Sequence, residues 1–265
     1  MQPIITFNDV HFSYNDHHIL KGSTFSLNKG QMGIFIGENE SGKSTIFKLI
    51  VGLIKPDEGE ILINGKDIVQ FKEEELYEIR KEMGIIFQES ALFDSLTVEE
   101  NVAYPLVERL VLDEVDIESR VQEVLRLVEL EATEKKYPSE LSGGMKKRVS
   151  IARALSPFPA LLLYDDPAAG LDPMTARTIM KVIIKLRDMR GITSLVISNQ
   201  FEETLLLAML KAEQKGNQVV YNSIEGGNPD CIFFLLEQGK ISFSGTFCDL
   251  QKSTSSYIQE FLLQE

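Results

Sequence analysis

The 265-residue sequence contains no tryptophan, two cysteines and three histidines. Cys231 and Cys248 form no C-x-x-C pair and have few histidines to join them, so metal or redox chemistry is not expected and reduced, buried thiols are. Positive charge is also scarce: 27 Lys and Arg stand against 40 Asp and Glu, a formal net charge of −13. That balance argues against a nucleic-acid backbone or an anionic lipid surface as the main partner. Long apolar runs are missing too. Stretches such as 205–210 fall far short of the roughly 20 residues that a bilayer span requires, and Met1-Gln2-Pro3-Ile4 lacks a basic segment followed by an apolar one. The chain is therefore expected to stay in the cytoplasm, with no direct membrane insertion, and to reach a membrane only through another protein. No internal repeat or low-complexity tract occurs.

What is present begins at Gly37-Glu38-Asn39-Glu40-Ser41-Gly42-Lys43-Ser44-Thr45. The apolar run Met32-Gly33-Ile34-Phe35-Ile36 precedes it and the helical pattern Ile46-Phe47-Lys48-Leu49-Ile50 follows. Strand, glycine loop and helix are the context that turns the spacing G-x-x-x-x-G-K-[ST] into a phosphate site. Backbone N–H groups turn inward around a phosphate, Gly42 allows close backbone approach, and the helix presents its positive N-terminus. Lys43 is expected to neutralise the β- and γ-phosphates, and the Ser44 hydroxyl to take one coordination position on Mg²⁺.

In chain order, residues 4–10 and 25–36 read as strands, with turns at Asn15-Asp16 and Asn28-Lys29-Gly30. Tyr14 stands where an aromatic could stack on a flat base. A helix over 43–52 leads through Pro56-Asp57-Glu58-Gly59 to a strand at 60–64, with Asn64-Gly65 as a hairpin signal. A short acidic helix at 76–80 precedes a buried strand at 84–87 that ends at Gln88. Residues 98–130 carry helical periodicity, and Leu141-Ser142-Gly143-Gly144-Met145 opens a helix over 146–155. Strand 161–164 delivers Asp165-Asp166 at its C-terminal end, where open α/β sheets bind ligands. Asp165 suits a position that holds Mg²⁺ through a coordinated water. Helix 173–189, strand 194–197 and helix 201–212 continue the βα alternation, so the sheet is mostly parallel. Residues 213–229 read as a polar, glycine-rich surface excursion, followed by strands at 231–236 and 241–244 and two short helices.

Taken together, the phosphate loop at 37–45, Gln88, LSGGM at 141–145, LLLYDD at 161–166 and GLDP at 170–173 resemble the nucleotide-binding subunit of ABC transporters, in that family's order and over nearly the whole chain. LSGGM is the most specific of these. The resemblance implies a P-loop NTPase (RecA-like) α/β core, an antiparallel β subdomain on the N-terminal side and an inserted α-helical subdomain. On that basis 1–87 and 159–265 form the ATP-binding core, 88–158 the helical subdomain and 213–229 an insertion within a single 1–265 unit. It also implies a head-to-tail dimer, a homodimer or a heterodimer with another ABC ATPase subunit. In it ATP and Mg²⁺ lie between the loop of one subunit and the Ser142-Gly143-Gly144 turn of the other. Gln88 would touch the metal, sense the γ-phosphate and report to a membrane permease docked near 88–106; Tyr14 matches the adenine-stacking aromatic, and Asp172 the loop that crosses the interface. The segment 90–106 and the tail Ile258-Gln259-Glu260-Phe261-Leu262 are similar to those of MCE-type (Mla-like) lipid transport ATPases.

Three positions depart from the family pattern. Asp166 stands where Glu usually orients the attacking water, and its side chain is one methylene shorter. Asn199, in Ser198-Asn199-Gln200, replaces the usual His at the γ-phosphate, so a hydrogen bond is possible there but a positive charge is not. Glu40 replaces Gly; at positive φ it would cost about 1–2 kcal/mol, and its carboxylate is expected to point to solvent. Two functions follow: a slow but working ATPase that drives a lipid-type transporter, or an ATP-binding dimerisation module whose occupancy regulates a membrane complex. A soluble, non-transport ABC protein fits less well, because such proteins usually carry two cassettes or long coiled-coil insertions.

Overall fold

The computed structural model describes residues 3–109, 113–199, 201–216, 218–255 and 258–259. The chain opens with two long antiparallel strands, β1 (Pro3–Tyr14) and β2 (His17–Asn28), and the short β3 (Met32–Ile36) leads into α1 (Lys43–Ile50). Then come β4 (Glu58–Ile63), β5 (Lys66–Asp67), α2 (Glu73–Lys81) and β6 (Met83–Ile86), followed by α3 (Val98–Arg109), α4 (Glu114–Leu127) and α5 (Gly143–Leu155). The C-terminal part runs β7 (Leu161–Asp165), α6 (Pro173–Arg190), β8 (Thr193–Ile197), α7 (Phe201–Met209), β9 (Leu210–Lys215), β10 (Gln218–Ser223), β11 (Cys231–Glu237), β12 (Lys240–Gly245) and α8 (Phe247–Lys252).

One sheet has the order β12-β11-β3-β8-β7-β6, parallel throughout except for β12. A second, antiparallel sheet has the order β2-β1-β4-β5. All five residues of β3 are buried, as expected of a central parallel strand covered on both faces. Side chains of the central sheet alternate between two cores. Ile34, Leu162 and Tyr164 face the core built with α3–α6, while Phe35, Leu161 and Leu163 face the core shared with α1 and the antiparallel sheet. In the second core Phe25 meets Phe35 edge-on at 5.0 Å, and Phe35 stacks on Phe234 at 5.1 Å.

Several element boundaries differ from the sequence reading, among them α2, which starts at Glu73 rather than Leu76, and three others have identifiable causes. The strands of the entry extend through Tyr14 and fill 17–24, because the turn at Asn15, with φ 52°, lets both arms keep pairing. The helix after LSGGM begins at Gly143 rather than Lys146, since the Ser142 hydroxyl caps it by accepting from the Met145 amide at 3.3 Å. Gly144 also requires the absence of a side chain, because a Cβ there would lie 2.3 Å from Thr175 Cγ2 on α6. Finally, α7 stops at Met209, and Leu210 starts a hairpin in place of a last helical turn. Arg187 and Asp188 on α6 draw the chain away: the guanidinium donates to the Leu210 carbonyl at 2.7 Å, and the carboxylate accepts from the Ala212 amide at 2.7 Å. The segment read as a polar excursion thus starts with β9 and β10 paired, and Ala212 is buried. Gln200 and, from Glu260 onward, the tail singled out above lie outside the described residues. Among the described residues no helix is long and apolar enough to cross a membrane.

Candidate nucleotide site

Four parallel strands bring the site together. In the order β3-β8-β7-β6 the C-terminal ends share one sheet edge. Phe35 pairs with Ile197, Ile197 with Asp165, and Ile86 with Tyr164. The glycine loop after β3, Ser198-Asn199 after β8, Asp165-Asp166 at the end of β7 and Gln88 after β6 therefore emerge side by side, as ligand-binding loops of open α/β sheets do.

The loop meets α1 at Gly42, whose φ of 109° is open to glycine, and no described side chain caps the helix N-terminus. Lys43 is buried, and its Nζ donates to the carbonyls of Gly37 at 2.6 Å and Glu38 at 2.7 Å. Desolvation lowers its pKa to about 8, against the opposing pull of Asp166 and Glu38. Beside it opens a cavity of about 310 Å³ lined by His17, Ile19, Asn39, Glu40, Gly42, Lys43, Ser44, Thr45 and Asn199. Glu40 has φ 64°, the conformation that carries the strain considered for it, and the residue is exposed.

Asp165 and Asp166 are adjacent carboxylates on the same edge. Burial raises both pKa values, and for Asp165 the neighbouring Asp166 charge adds to it. Asp166, at φ 42°, is held on both oxygens: the Ser198 hydroxyl donates to Oδ1 at 3.3 Å and the Asn199 amide to Oδ2 at 3.3 Å. These donors pull its pKa back down. Gln88 is exposed, and its backbone carbonyl accepts from Lys147 Nζ at 2.6 Å. Tyr14 ends β1 half-exposed, edge-on to Phe12 at 4.8 Å, with Lys48 Nζ of α1 at 6.0 Å from its ring centroid. Ser142, Gly143 and Gly144 are not among the cavity's lining residues. The Asp172 carboxylate caps α6, accepting from Met174 and Thr175 amides at 3.1 and 3.0 Å, and a hydrogen bond from the Thr175 side chain, together with these amides, lowers its pKa.

His17, Ile19, Ser198 and Lys147 escaped the sequence reading. The signal for the first two is the hairpin register, in which Tyr14 pairs with His17 and carries β2 past the loop.

The groups present fit a nucleoside triphosphate with magnesium. A buried cation faces a loop of backbone amides at a helix N-terminus, and Ser44 together with Asp165 offers the hard oxygen donors that magnesium prefers. Such a fold and site define a P-loop nucleotide-binding protein. A family model described as ABC transporter matches residues 20–169, and the chain belongs to that family as an ATP-binding ATPase subunit. It is 38% identical over 207 residues, 78% of each chain, to the intermembrane phospholipid transport system ATP-binding protein MlaF of Haemophilus influenzae. It is also 37% identical over 267 residues, 97% of this chain and 73% of the other, to the protein TRIGALACTOSYLDIACYLGLYCEROL 3, chloroplastic, of Arabidopsis thaliana. Among solved structures, the ATP-binding cassette MJ0796, a dimer in a post-hydrolysis state bound to ADP and Pi, superposes with a TM-score of 0.75 at 27% identity, covering 92% of this chain and 98% of that one.

The Lys43 environment predicts a pH response. Phosphate oxygens stabilise the ammonium, so nucleotide binding raises a pKa that starts at about 8. Affinity for ATP should hold below pH 8, weaken as pH rises through 8, and be accompanied by proton uptake near that pH. Calorimetric titrations in buffers of different ionisation enthalpy measure that uptake directly. The nucleotide-free fold should respond oppositely: its Lys43 pKa lies below the ordinary 10.5, so this group's contribution to stability increases with pH between 8 and 10.5.

Proposed function

We propose that this chain is the ATP-binding subunit of a lipid-transporting ABC complex, hydrolysing ATP slowly at a head-to-tail dimer interface and acting on a separate membrane permease. The observation that carries the reading is the convergence of Lys43, Asp165, Asp166 and Asn199 at one sheet edge, in a chain similar to phospholipid-transport ATP-binding proteins.

In this reading Tyr14 stacks on adenine, and the amides of residues 37–45 with the Lys43 ammonium hold the phosphates. Ser44, Asp165 and Gln88 hold magnesium, which when bound screens phosphate charge. Asp166 orients the attacking water and accepts its proton. That carboxylate is one methylene short and already engaged by Ser198 and Asn199, which supports slow turnover. Asn199 lines the phosphate cavity as a neutral donor. The Ser142-Gly143-Gly144 turn, at the N-terminus of α5, offers its backbone amides to a second subunit's nucleotide. Near 88–106, the exposed Phe87, Phe93, Tyr104 and Val107 support docking of an integral membrane subunit. The protein would then sit on the inner face of the membrane through that permease, with 88–158 as its helical unit and 1–87 plus 159–265 as its ATP-binding core.

A second reading rests on the same engaged Asp166: nucleotide occupancy, rather than turnover, regulates the membrane complex. Steady-state phosphate release with and without the co-purified membrane subunit separates the two. Release above a Lys43→Ala control, rising when the membrane subunit is present, is expected. No release above that control in either condition would leave only the regulatory reading.

A further inference from the structure

Lys147 is a buried charge that the proposed reaction does not use. It lies one turn into α5, four residues after Gly143, and is 2% exposed. Its Nζ donates to the backbone carbonyls of Gln88 at 2.6 Å and Phe87 at 3.1 Å. From the same helix Arg153 donates to the Ser90 carbonyl at 3.3 Å and places its guanidinium 5.6 Å from the centre of the Phe93 ring. The segment these cations hold is strained: Ser90 and Ala91 both have positive φ, at 57° and 48°. Backbone of that kind persists only where its surroundings over-determine it.

Burying an ammonium costs more than burying an apolar chain of similar length, and hydrogen bonds to well-placed acceptors offset that cost. Burial lowers the Lys147 pKa, and the nearby Asp166 and Asp165 charges counter the shift. The cation is thus fastened to the loop that starts at Gln88, with the charge of the acid pair acting on it. Gly144, on the same helix, packs directly against Thr175 of α6, so α5 is seated at both ends of this chain of contacts.

We infer that Lys147 is a positioning residue that ties the Ser142–Gly144 turn to Gln88, so that displacement of α5 moves the Gln88 backbone and the aromatic docking surface with it. This rests on the reading of Gln88 as the sensor of the γ-phosphate. Without Lys147 the loop can relax independently of α5, while Lys43, Ser44 and the loop amides still bind nucleotide. Binding and response should therefore separate.

Because the chain has no tryptophan, Phe93→Trp introduces a single fluorescent reporter on the docking surface. In that background the full chain should change its emission on addition of MgATP. Lys147→Met should abolish the change and lower kcat about tenfold, the worth of one hydrogen bond to a charged group, with KM for ATP unchanged. Lys147→Arg should restore both. Should Lys147→Met fail to fold, Lys147→Gln, whose shorter and uncharged amide keeps N–H donors toward these carbonyls, should give an intermediate signal. A retained emission change and kcat in Lys147→Met, or in Lys147→Gln where that variant stands in, would overturn the inference. Gln88→Ala distinguishes the layers. If it removes the change and Lys147→Met does not, only the tie is wrong; if neither removes it, the reading of Gln88 as sensor fails.

Discussion

Lys43→Ala should weaken MgATP binding by about two to three orders of magnitude. Truncating a hydrogen-bonded charge at a buried polar interface costs about 2–5 kcal/mol, and each 1.4 kcal/mol is about tenfold in affinity. The Lys43 side chain is one of the few buried cations at this edge and faces the cavity directly. The nucleotide-free fold should tolerate the change, because removal of an ammonium whose pKa is lowered by burial also removes its desolvation cost. Titration calorimetry with a non-hydrolysable ATP analogue, together with a melting curve, checks both halves. An affinity within twofold of the parent chain would mean that the phosphates bind elsewhere.

Asp166→Glu should increase phosphate release by up to about a hundredfold, since a misplacement of about 1 Å in a positioned catalytic group can cost that much. The longer side chain extends past the two donors that engage Asp166, Ser198 and Asn199. The gain comes with strain. Residue 166 has φ 42°, a conformation that short Asp tolerates better than Glu, so a penalty of about 1 kcal/mol is expected. For a chain of this size that corresponds to a fall in melting temperature of about 2–4 °C. Single-turnover phosphate release and calorimetric melting on the same preparation test the pair of effects. If Asp166→Glu gains nothing and Asp166→Asn loses nothing, Asp166 does not position the water.

The two changes probe different layers of the molecule. Lys43 belongs to a contiguous loop whose glycines, lysine and hydroxyl act within nine residues, and its chemistry is readable from spacing alone. Asp166 is held by Ser198 and Asn199, more than thirty residues further along the chain, and nothing local to LLLYDD announces those donors. Lys147 is a sharper case. In sequence it is one lysine of a Lys-Lys-Arg run on a helix, where a solvated face is the natural reading, yet it is among the largest fully buried side chains. Its acceptors are backbone carbonyls some sixty residues earlier, and a carbonyl carries no sequence signature.

By itself the sequence determined the strand–loop–helix at 32–50, the α/β alternation, the hairpin at Asn64-Gly65 and the family resemblance, because periodicity, glycine spacing and turn chemistry act over a few neighbouring residues. It implied what a positive φ would cost Glu40, but that the position has one was decided by the structure. Only the tertiary structure decided the order β3-β8-β7-β6 that gathers four separate loops at one edge. The same holds for the end of α7 at Met209, imposed by Arg187 and Asp188 from another helix. Each of these depends on burial and hydrogen bonds between residues far apart in the chain, and such contacts override local propensity once the two cores close.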